Sequence, residues 1–232
     1  MLVFIKGKGI FTYVSCAVFT RYLHGCDLMD KYHIFSTKDM KHWKDHGEIL
    51  NSSQVLWGRP EGGFMWAPKG FIPDVGGFAM IDPCAFVDDD KQAYLIYGGG
   101  NKCQGGKPKD NMMENDGKMQ EMNGLQDFHE AAWLFKRNGI YYLTYADNNR
   151  RENQLRYAMS KNPLGPWEYK GVYLEPTGCD TSHGSVVEFK GRWYAFYHNK
   201  SISGKGNLRS ICVDKLYFNP DETIQKVIQT KK

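Results

Sequence analysis

Residues 136–145 are Lys136-Arg137-Asn138-Gly139-Ile140-Tyr141-Tyr142-Leu143-Thr144-Tyr145. Asn138-Gly139 is the strongest short hairpin signal in the chain, because a type I′ turn needs positive φ at both central residues. The aromatic run that follows has the alternation of a half-buried strand. The stretch therefore predicts a β-hairpin.

The same pattern, a turn containing Gly or Asp before an aromatic strand, occurs again at residues 88–97 and 189–197. The hairpins fall roughly fifty residues apart, which is the spacing of four-stranded propeller blades. No apolar stripe of helical length occurs between them. We therefore predict an all-β protein, a β-propeller rather than a sandwich or a barrel, in one domain covering residues 1–232.

A second element also recurs. Residues 32–39 lead to Trp43 as residues 155–162 lead to Trp167, and each copy predicts a strand, a tight turn and an edge strand anchored by tryptophan. The segment 99–124 is rich in Gly, Lys, Asn and Met without clear alternation, so it is expected to be a long surface loop of the kind that is often functional.

The composition excludes several classes of protein. Hydrophobic residues are 41% and charged residues 24%, as in globular proteins, and no segment approaches a membrane span. The net charge is +4, with lysines and arginines scattered among acidic residues, so no basic stripe indicates a nucleic acid partner. The apolar run of residues 1–5 is too short for a signal peptide, so a cytoplasmic location is expected. The six cysteines include no C-x-x-C pair, which favours reduced structural thiols.

Two carboxylates precede predicted strands. Glu130 follows Phe128 and precedes Trp133, so it is expected to be partly desolvated, which raises a carboxyl pKa toward that of a general acid. A solvated loop glutamate is about equally frequent in such a context. Asp82 precedes Pro83, and capping of a turn is its alternative role. Cleavage of a glycosidic bond needs a carboxylic acid and a carboxylate, and propeller inner strands bring distant acids together.

The chain resembles glycoside hydrolase family 43 in an ordered set of motifs. These motifs are Trp66-Ala67-Pro68, Ile81-Asp82-Pro83 with residues 86–90, Phe128-His129-Glu130-Ala131 with residues 136–143, Ser182-His183-Gly184-Ser185-Val186-Val187, and Leu208-Arg209-Ser210. The resemblance runs from about Tyr32 to Val227 and implies a five-bladed propeller. It also implies inverting hydrolysis that releases terminal β-xylosyl or α-L-arabinofuranosyl units from plant cell-wall oligosaccharides.

The resemblance further implies roles for single residues. Glu130 matches the general acid, and Asp82 matches the aspartate that tunes the pKa of the acid and orients it. His183 matches a histidine near the propeller axis, where members often hold a calcium ion; this ion would be structural, and no cofactor is expected to be required. Taken alone, His183 would more often be a packed core histidine.

Three further residues are expected to contact the sugar. Trp66 and Arg209 match family positions in the substrate pocket, and Phe128 adjoins the acid motif. Taken alone, Trp66 would be a core residue and Arg209 a surface residue.

The N-terminal part departs from the family pattern. Members carry a third acid, an aspartate in an early Asp-Pro, that activates the attacking water, whereas no acidic residue precedes Asp27 here. The start is therefore expected to be truncated or replaced, and Asp27 and Asp30 are weak substitutes. Only residues 69–80 separate two motifs that are farther apart in relatives, so the second blade is expected to be incomplete or missing. Exposed strand edges would then favour a homo-oligomer.

These departures leave two other hypotheses open. Loss of a positioned base costs on the order of 10² to 10⁴ in rate, so the chain could be an impaired propeller that binds pentose oligosaccharides without efficient hydrolysis. A structural propeller that binds protein partners through residues 99–124 is the third alternative, although a scaffold has no need of acids before its inner strands.

Overall fold

The computed structural model describes residues 2–6, 9–16, 31–51, 54, 81–112, 114–147, 153–179, 181–206 and 209–230. These residues form fifteen β-strands and no α-helix. In this part of the chain no helix is long and apolar enough to cross a membrane. The chain divides into two compact units, Met1–Pro73 and Asp74–Lys232. The prediction of a single domain over residues 1–232 stays a prediction.

The first unit contains one antiparallel sheet with its strands in sequence order. The strands are β1 (Leu2–Lys6), β2 (Gly9–Cys16), β3 (Lys31–Thr37) and β4 (Trp43–Asn51). The turn after β3 is closed by side chains, since the Thr37 hydroxyl accepts the N–H of Met40 at 2.9 Å and the Asp39 carboxylate accepts that of His42 at 2.8 Å. The predicted strand, turn and edge strand are therefore present, and Trp43 at the start of the edge strand is 38% exposed.

The second unit contains three antiparallel sheets, each a meander. The first is formed by β5 (Cys84–Val87), β6 (Ala93–Gly99), β7 (Lys102–Gly106) and β8 (Gln120–Glu121). The second is formed by β9 (Glu130–Arg137), β10 (Ile140–Ala146), β11 (Leu155–Ser160) and β12 (Glu168–Leu174). The third is formed by β13 (Ser185–Phe189), β14 (Arg192–Asn199) and β15 (Ser210–Leu216).

The three predicted hairpins are the first two strands of these sheets, β5–β6, β9–β10 and β13–β14. Asn138 and Gly139 have φ of 49° and 74°, so the turn between β9 and β10 has positive φ at both central residues, as predicted. The second copy of the tryptophan element is also present, and Trp167 lies directly before β12 with 5% exposure.

The prediction that residues 99–124 form a loop throughout is wrong. Residues 102–106 pair with β6 as β7, and Gln120–Glu121 pair with β7 in turn. The glycines of β7 allow close packing of methionine side chains. A Cβ on Gly105 would lie 2.6 Å from Met122 Sδ, and one on Gly106 would lie 2.4 Å from Met119 Sδ. The glycine-rich composition led to the prediction of a loop. The segment is instead a strand whose glycines leave space for methionine side chains.

The core of the second unit lies on both sides of the sheet that begins with β9. One cluster, which includes Ile96, Leu143 and Tyr145, joins it to the sheet that begins with β5. The other, which includes Tyr142 and Val186, joins it to the sheet that begins with β13. Because β9 contacts both β5 and β13, the first strands of the three sheets lie side by side.

Residues after β15 return across the second unit. The Tyr142 hydroxyl donates to the carbonyl oxygen of Glu222 at 2.8 Å, and the N–H of Ile224 donates to the Tyr157 hydroxyl at 3.0 Å. Further along, the N–H of Val227 donates to a carbonyl oxygen of β12 at 2.8 Å. This returning segment, residues 217–230, ties β10, β11 and β12 to the residues that follow the last sheet.

Candidate active site

Three polar residues that begin or precede β5, β9 and β13 converge in the second unit. One side-chain atom of each of Asp82, Glu130 and His183 lies within 4.8 Å of the others. The Nε2 atom of His183 stands 3.6 Å from Oε1 of Glu130 and 3.8 Å from Oδ2 of Asp82. The fold therefore brings together residues that are more than 40 positions apart in the sequence, as expected for acids placed before inner strands.

A β-bulge at the start of β9 orients the side chain of Glu130. Glu130 pairs with Ala146, but the register then shifts, and Trp133 pairs with Thr144. Ala131 lies within the irregularity at φ 63°, an uncommon conformation for a residue other than glycine. The ladder gives its N–H no partner, and this N–H donates instead to Oδ2 of Asp82 at 3.0 Å. Asp82 thus holds the backbone directly beside Glu130 from a neighbouring sheet.

Glu130 is buried, with 9% of the residue exposed. Its Oε1 atom receives no hydrogen bond from the described residues. The distance of 3.6 Å to Nε2 of His183 is that of an ion pair, too long for a hydrogen bond. Buried carboxylate oxygens without a donor are rare in proteins, which marks this one as available to a ligand.

The pKa of Glu130 differs in direction from the sequence prediction. Burial acts to raise the pKa, as expected, but the interaction with His183, aided by those with His129 and Arg209, outweighs it and holds the pKa below its usual value. The prediction of a raised pKa is therefore wrong for the chain without substrate. The sequence around Glu130 shows its apolar neighbours but gives no sign that His183 faces it.

His183 is held in place by groups around the start of β13. Its backbone N–H donates to Nε2 of His198 at 3.1 Å. Gly184 lies so close to the second sheet that a Cβ there would stand 2.5 Å from Cδ1 of Leu155 and 2.7 Å from the hydroxyl of Tyr173. His198 was not among the predicted site residues, because it belongs to none of the motifs and its contact is with a backbone group.

Arg209 lies on the same side of the unit. Its Nη2 donates to Oγ1 of Thr181, two residues before His183. The residue is exposed, and its charge lowers the pKa values of both Glu130 and His198. Arg209 is therefore near the site, and its contact with substrate stays a prediction.

Phe128 is buried, whereas an aromatic residue that stacks on a sugar needs an exposed ring face. It is 5% exposed and packs against Tyr145, with ring centroids 5.5 Å apart. It also lines a cavity of about 460 Å³ whose rim carries Asn101, Glu121 and Asp127. Little of its surface is free for a sugar, and the contact predicted for it stays a prediction.

Several predicted residues lie outside the described part of the chain. These are Trp66, Asp27 and Asp30, together with all of residues 58–80, in which an incomplete blade was expected. Their roles stay predictions.

A calcium ion would find few ligands at Asp82, Glu130 and His183. Ca²⁺ takes six to eight oxygen ligands, whereas this cluster offers two carboxylates and one imidazole nitrogen. One of those carboxylate oxygens already accepts the N–H of Ala131. The cluster does not by itself fit the ion.

Comparison with known proteins identifies the class. The model of the glycosyl hydrolases of family 43 matches residues 69–224, and the chain belongs to that family. A β-xylosidase of Xylanibacter ruminicola is 31% identical over 225 aligned positions, which cover 79% of this chain and 68% of that protein. Xylosidase/arabinosidase 43A of Humicola insolens is 31% identical over 241 positions, which cover 82% of this chain and 72% of that protein.

Solved structures agree with this assignment. A family 43 β-xylosidase/α-arabinofuranosidase from a compost microbial metagenome, in complex with xylotriose and described as a calcium-free form, is 25% identical with a TM-score of 0.79. The match covers 97% of this chain and 92% of that one. The predicted family and the predicted fold, a β-propeller of the five-bladed family 43 type, are confirmed.

Proposed function

We propose that this protein is a glycoside hydrolase that releases terminal β-xylosyl or α-L-arabinofuranosyl units from plant cell-wall oligosaccharides, with Glu130 as the general acid. Membership of family 43 supports the reaction class. The names of the Xylanibacter and Humicola relatives support the two sugars, and the xylotriose bound to a structural neighbour supports an oligosaccharide as ligand.

The observation that carries the role of Glu130 is its buried Oε1 atom, which has no donor among the described residues. A general acid must place its carboxyl next to the leaving oxygen, so that carboxyl cannot be occupied by hydrogen bonds from protein donors. The bulge at Ala131 fixes the backbone that aims it. After proton transfer the carboxylate faces Nε2 of His183 at 3.6 Å, and this interaction favours the ionised form of Glu130.

Asp82 is suited to support rather than to activation of water. Inverting hydrolases separate acid and base by roughly 6.5–9.5 Å, to leave room for the water. One oxygen of Asp82 lies within 4.8 Å of Glu130, and Oδ2 is bound to the N–H of Ala131. We therefore assign Asp82 to orienting the segment that carries the acid, and the base lies elsewhere.

The test is Glu130→Gln, assayed on xylobiose, 4-nitrophenyl β-D-xylopyranoside and 4-nitrophenyl α-L-arabinofuranoside. We expect a loss of kcat on xylobiose on the order of 10² to 10⁴. The loss should be smaller for the nitrophenyl glycosides, because nitrophenolate leaves with less help from an acid. Glu188→Gln, an exposed position on β13, is the matched control and should retain full activity.

Two outcomes would contradict the proposal. Unchanged turnover of xylobiose by Glu130→Gln would remove Glu130 as the acid. No release from any of the three substrates by the native protein, together with measurable binding of xylotriose, would favour the pentose-binding propeller instead.

A further inference from the structure

His198 is a buried histidine next to the acid but not in contact with it. It lies near the end of β14, is 7% exposed, and its ring centroid stands 6.3 Å from that of His183. No acidic side chain pairs with it among the described residues, and its Nδ1 atom has no hydrogen-bond partner there. A buried polar side chain of this kind calls for an explanation beyond packing.

The contact that explains it is made by Nε2, which accepts the backbone N–H of His183 at 3.1 Å. A ring nitrogen that accepts a hydrogen bond carries no proton, so the proton of the neutral ring is on Nδ1. Burial, together with the positive charges of Arg209 and His183, lowers the pKa of His198 to about 2. The geometry of the contact thus assigns Nε2 of His198 as the acceptor.

The sheet does not hold His183 by itself. β13 begins at Ser185, so the backbone of His183 has no partner in the ladder. The preceding residue is tied by Ser182 Oγ, which donates to the carbonyl oxygen of Asn153 at 3.2 Å. The bond to His198 is the described contact that fixes the backbone of His183 itself. It therefore sets where the His183 ring stands relative to Glu130.

We propose that His198 is a positioning residue: by accepting the N–H of His183 it holds that imidazole 3.6 Å from Oε1 of Glu130 and 3.8 Å from Oδ2 of Asp82. This rests on the proposed function, in which Glu130 is the acid. Displacement of a catalytic group by about 1 Å can cost on the order of a hundredfold in rate. His198 thus acts on catalysis through one backbone hydrogen bond, without touching the substrate.

Three substitutions separate positioning from packing. His198→Gln places an amide oxygen where Nε2 stands, so it preserves the acceptor. His198→Asn is equally polar but too short to reach the N–H of His183, and His198→Leu fills the space without an acceptor. Tyr197→Phe is the control on the neighbouring residue of β14, because it removes a buried hydroxyl that donates to Asp214, at 2.5 Å, and has no link to the acid.

We expect kcat on xylobiose to fall roughly 10- to 100-fold in His198→Asn and His198→Leu. His198→Gln should stay within about threefold of the native protein, and Tyr197→Phe should keep native kcat although it melts at a lower temperature. KM should change little in any of them, since the substrate is not contacted. If His198→Leu does not fold, the contrast between Gln and Asn decides the matter.

A second readout does not depend on turnover. Amide hydrogen exchange at His183, followed by NMR, should be slow in the native protein and in His198→Gln, and fast in His198→Asn. Native kcat in a folded His198→Asn, or equal losses in Gln and Asn, would overturn the proposal. If the native protein hydrolyses nothing, the proposed function fails, and the exchange rates alone decide whether His198 holds His183.

Discussion

Oδ2 of Asp82 accepts the backbone N–H of Ala131 at 3.0 Å, across the boundary between two sheets. Ala131 is 6% exposed and lies where the register of the strand pair shifts, with a positive φ. The carboxylate thereby stabilises an irregular backbone at the position next to Glu130. The charge of Asp82 and its hydrogen bond are separate contributions, which substitution can distinguish.

Asp82→Asn keeps an oxygen for the N–H of Ala131 but removes the charge, whereas Asp82→Ala removes both. An unsatisfied buried N–H costs about 1–3 kcal/mol, so Asp82→Ala should lower the free energy of unfolding by that amount and Asp82→Asn by much less. Urea denaturation followed by fluorescence measures this difference. Equal stabilities of the two variants would show that the hydrogen bond contributes nothing.

His183→Gln should shift the pH dependence of catalysis. Burial acts to raise the pKa of Glu130, and the interaction with His183 lowers it. Without His183 the effect of burial gains weight and the pKa rises, so Glu130 stays protonated to higher pH. The alkaline limb of kcat/KM should therefore move to higher pH.

The control for this shift is His129→Gln. The charge of His129 also lowers the pKa of Glu130, but it ranks below that of His183. The limb should move in the same direction by less. A limb that stayed in place or moved to lower pH in His183→Gln would contradict the electrostatic explanation.

Arg156→Met should unfold the second unit more easily. The side chain of Asp147 is fully buried, and its Oδ2 accepts Nε of Arg156 at 2.8 Å. The N–H of Gln154 still donates to Oδ1 of Asp147, so the loss is that of one hydrogen bond to a charged group, about 1.5–3 kcal/mol. Thermal and urea denaturation would show the loss, and Arg192→Met, at an exposed position, should change stability little.

The thiol of Cys84 should resist alkylation. Cys84 is completely buried, and burial raises the pKa of its thiol to about 12, so almost no thiolate exists at pH 8. Cys212 is only partly buried and should react before Cys84. Iodoacetamide labelling followed by mass spectrometry would measure both sites. Rapid labelling of Cys84 in the folded protein would show that its strand opens frequently.

The hairpins could be predicted because their signals are local. Asn138-Gly139 and the alternating strands around it specify the turn between β9 and β10 within ten residues. The convergence of Asp82 and Glu130 could be predicted from their places before inner strands. These features depend on short-range chemistry or on the repeat, both of which a single sequence contains.

The rest depends on contacts between distant residues. β7 was missed because its glycines pack against methionines that follow later in the chain. The downward shift of the Glu130 pKa was not predicted, because it depends on the interaction with His183, which is 53 positions away. His198 acts through a backbone group rather than through a motif, so no local pattern indicates its role.

The returning segment also sets an order of events during synthesis. Tyr142 bonds to Glu222, 80 positions later, and Tyr157 bonds to Ile224, 67 positions later. A ribosome therefore releases β9 to β12 well before the groups that satisfy these hydroxyls have been made. Since contacts between distant residues form late, the second unit can complete these contacts and cover the associated apolar surface only after residue 227 has been made.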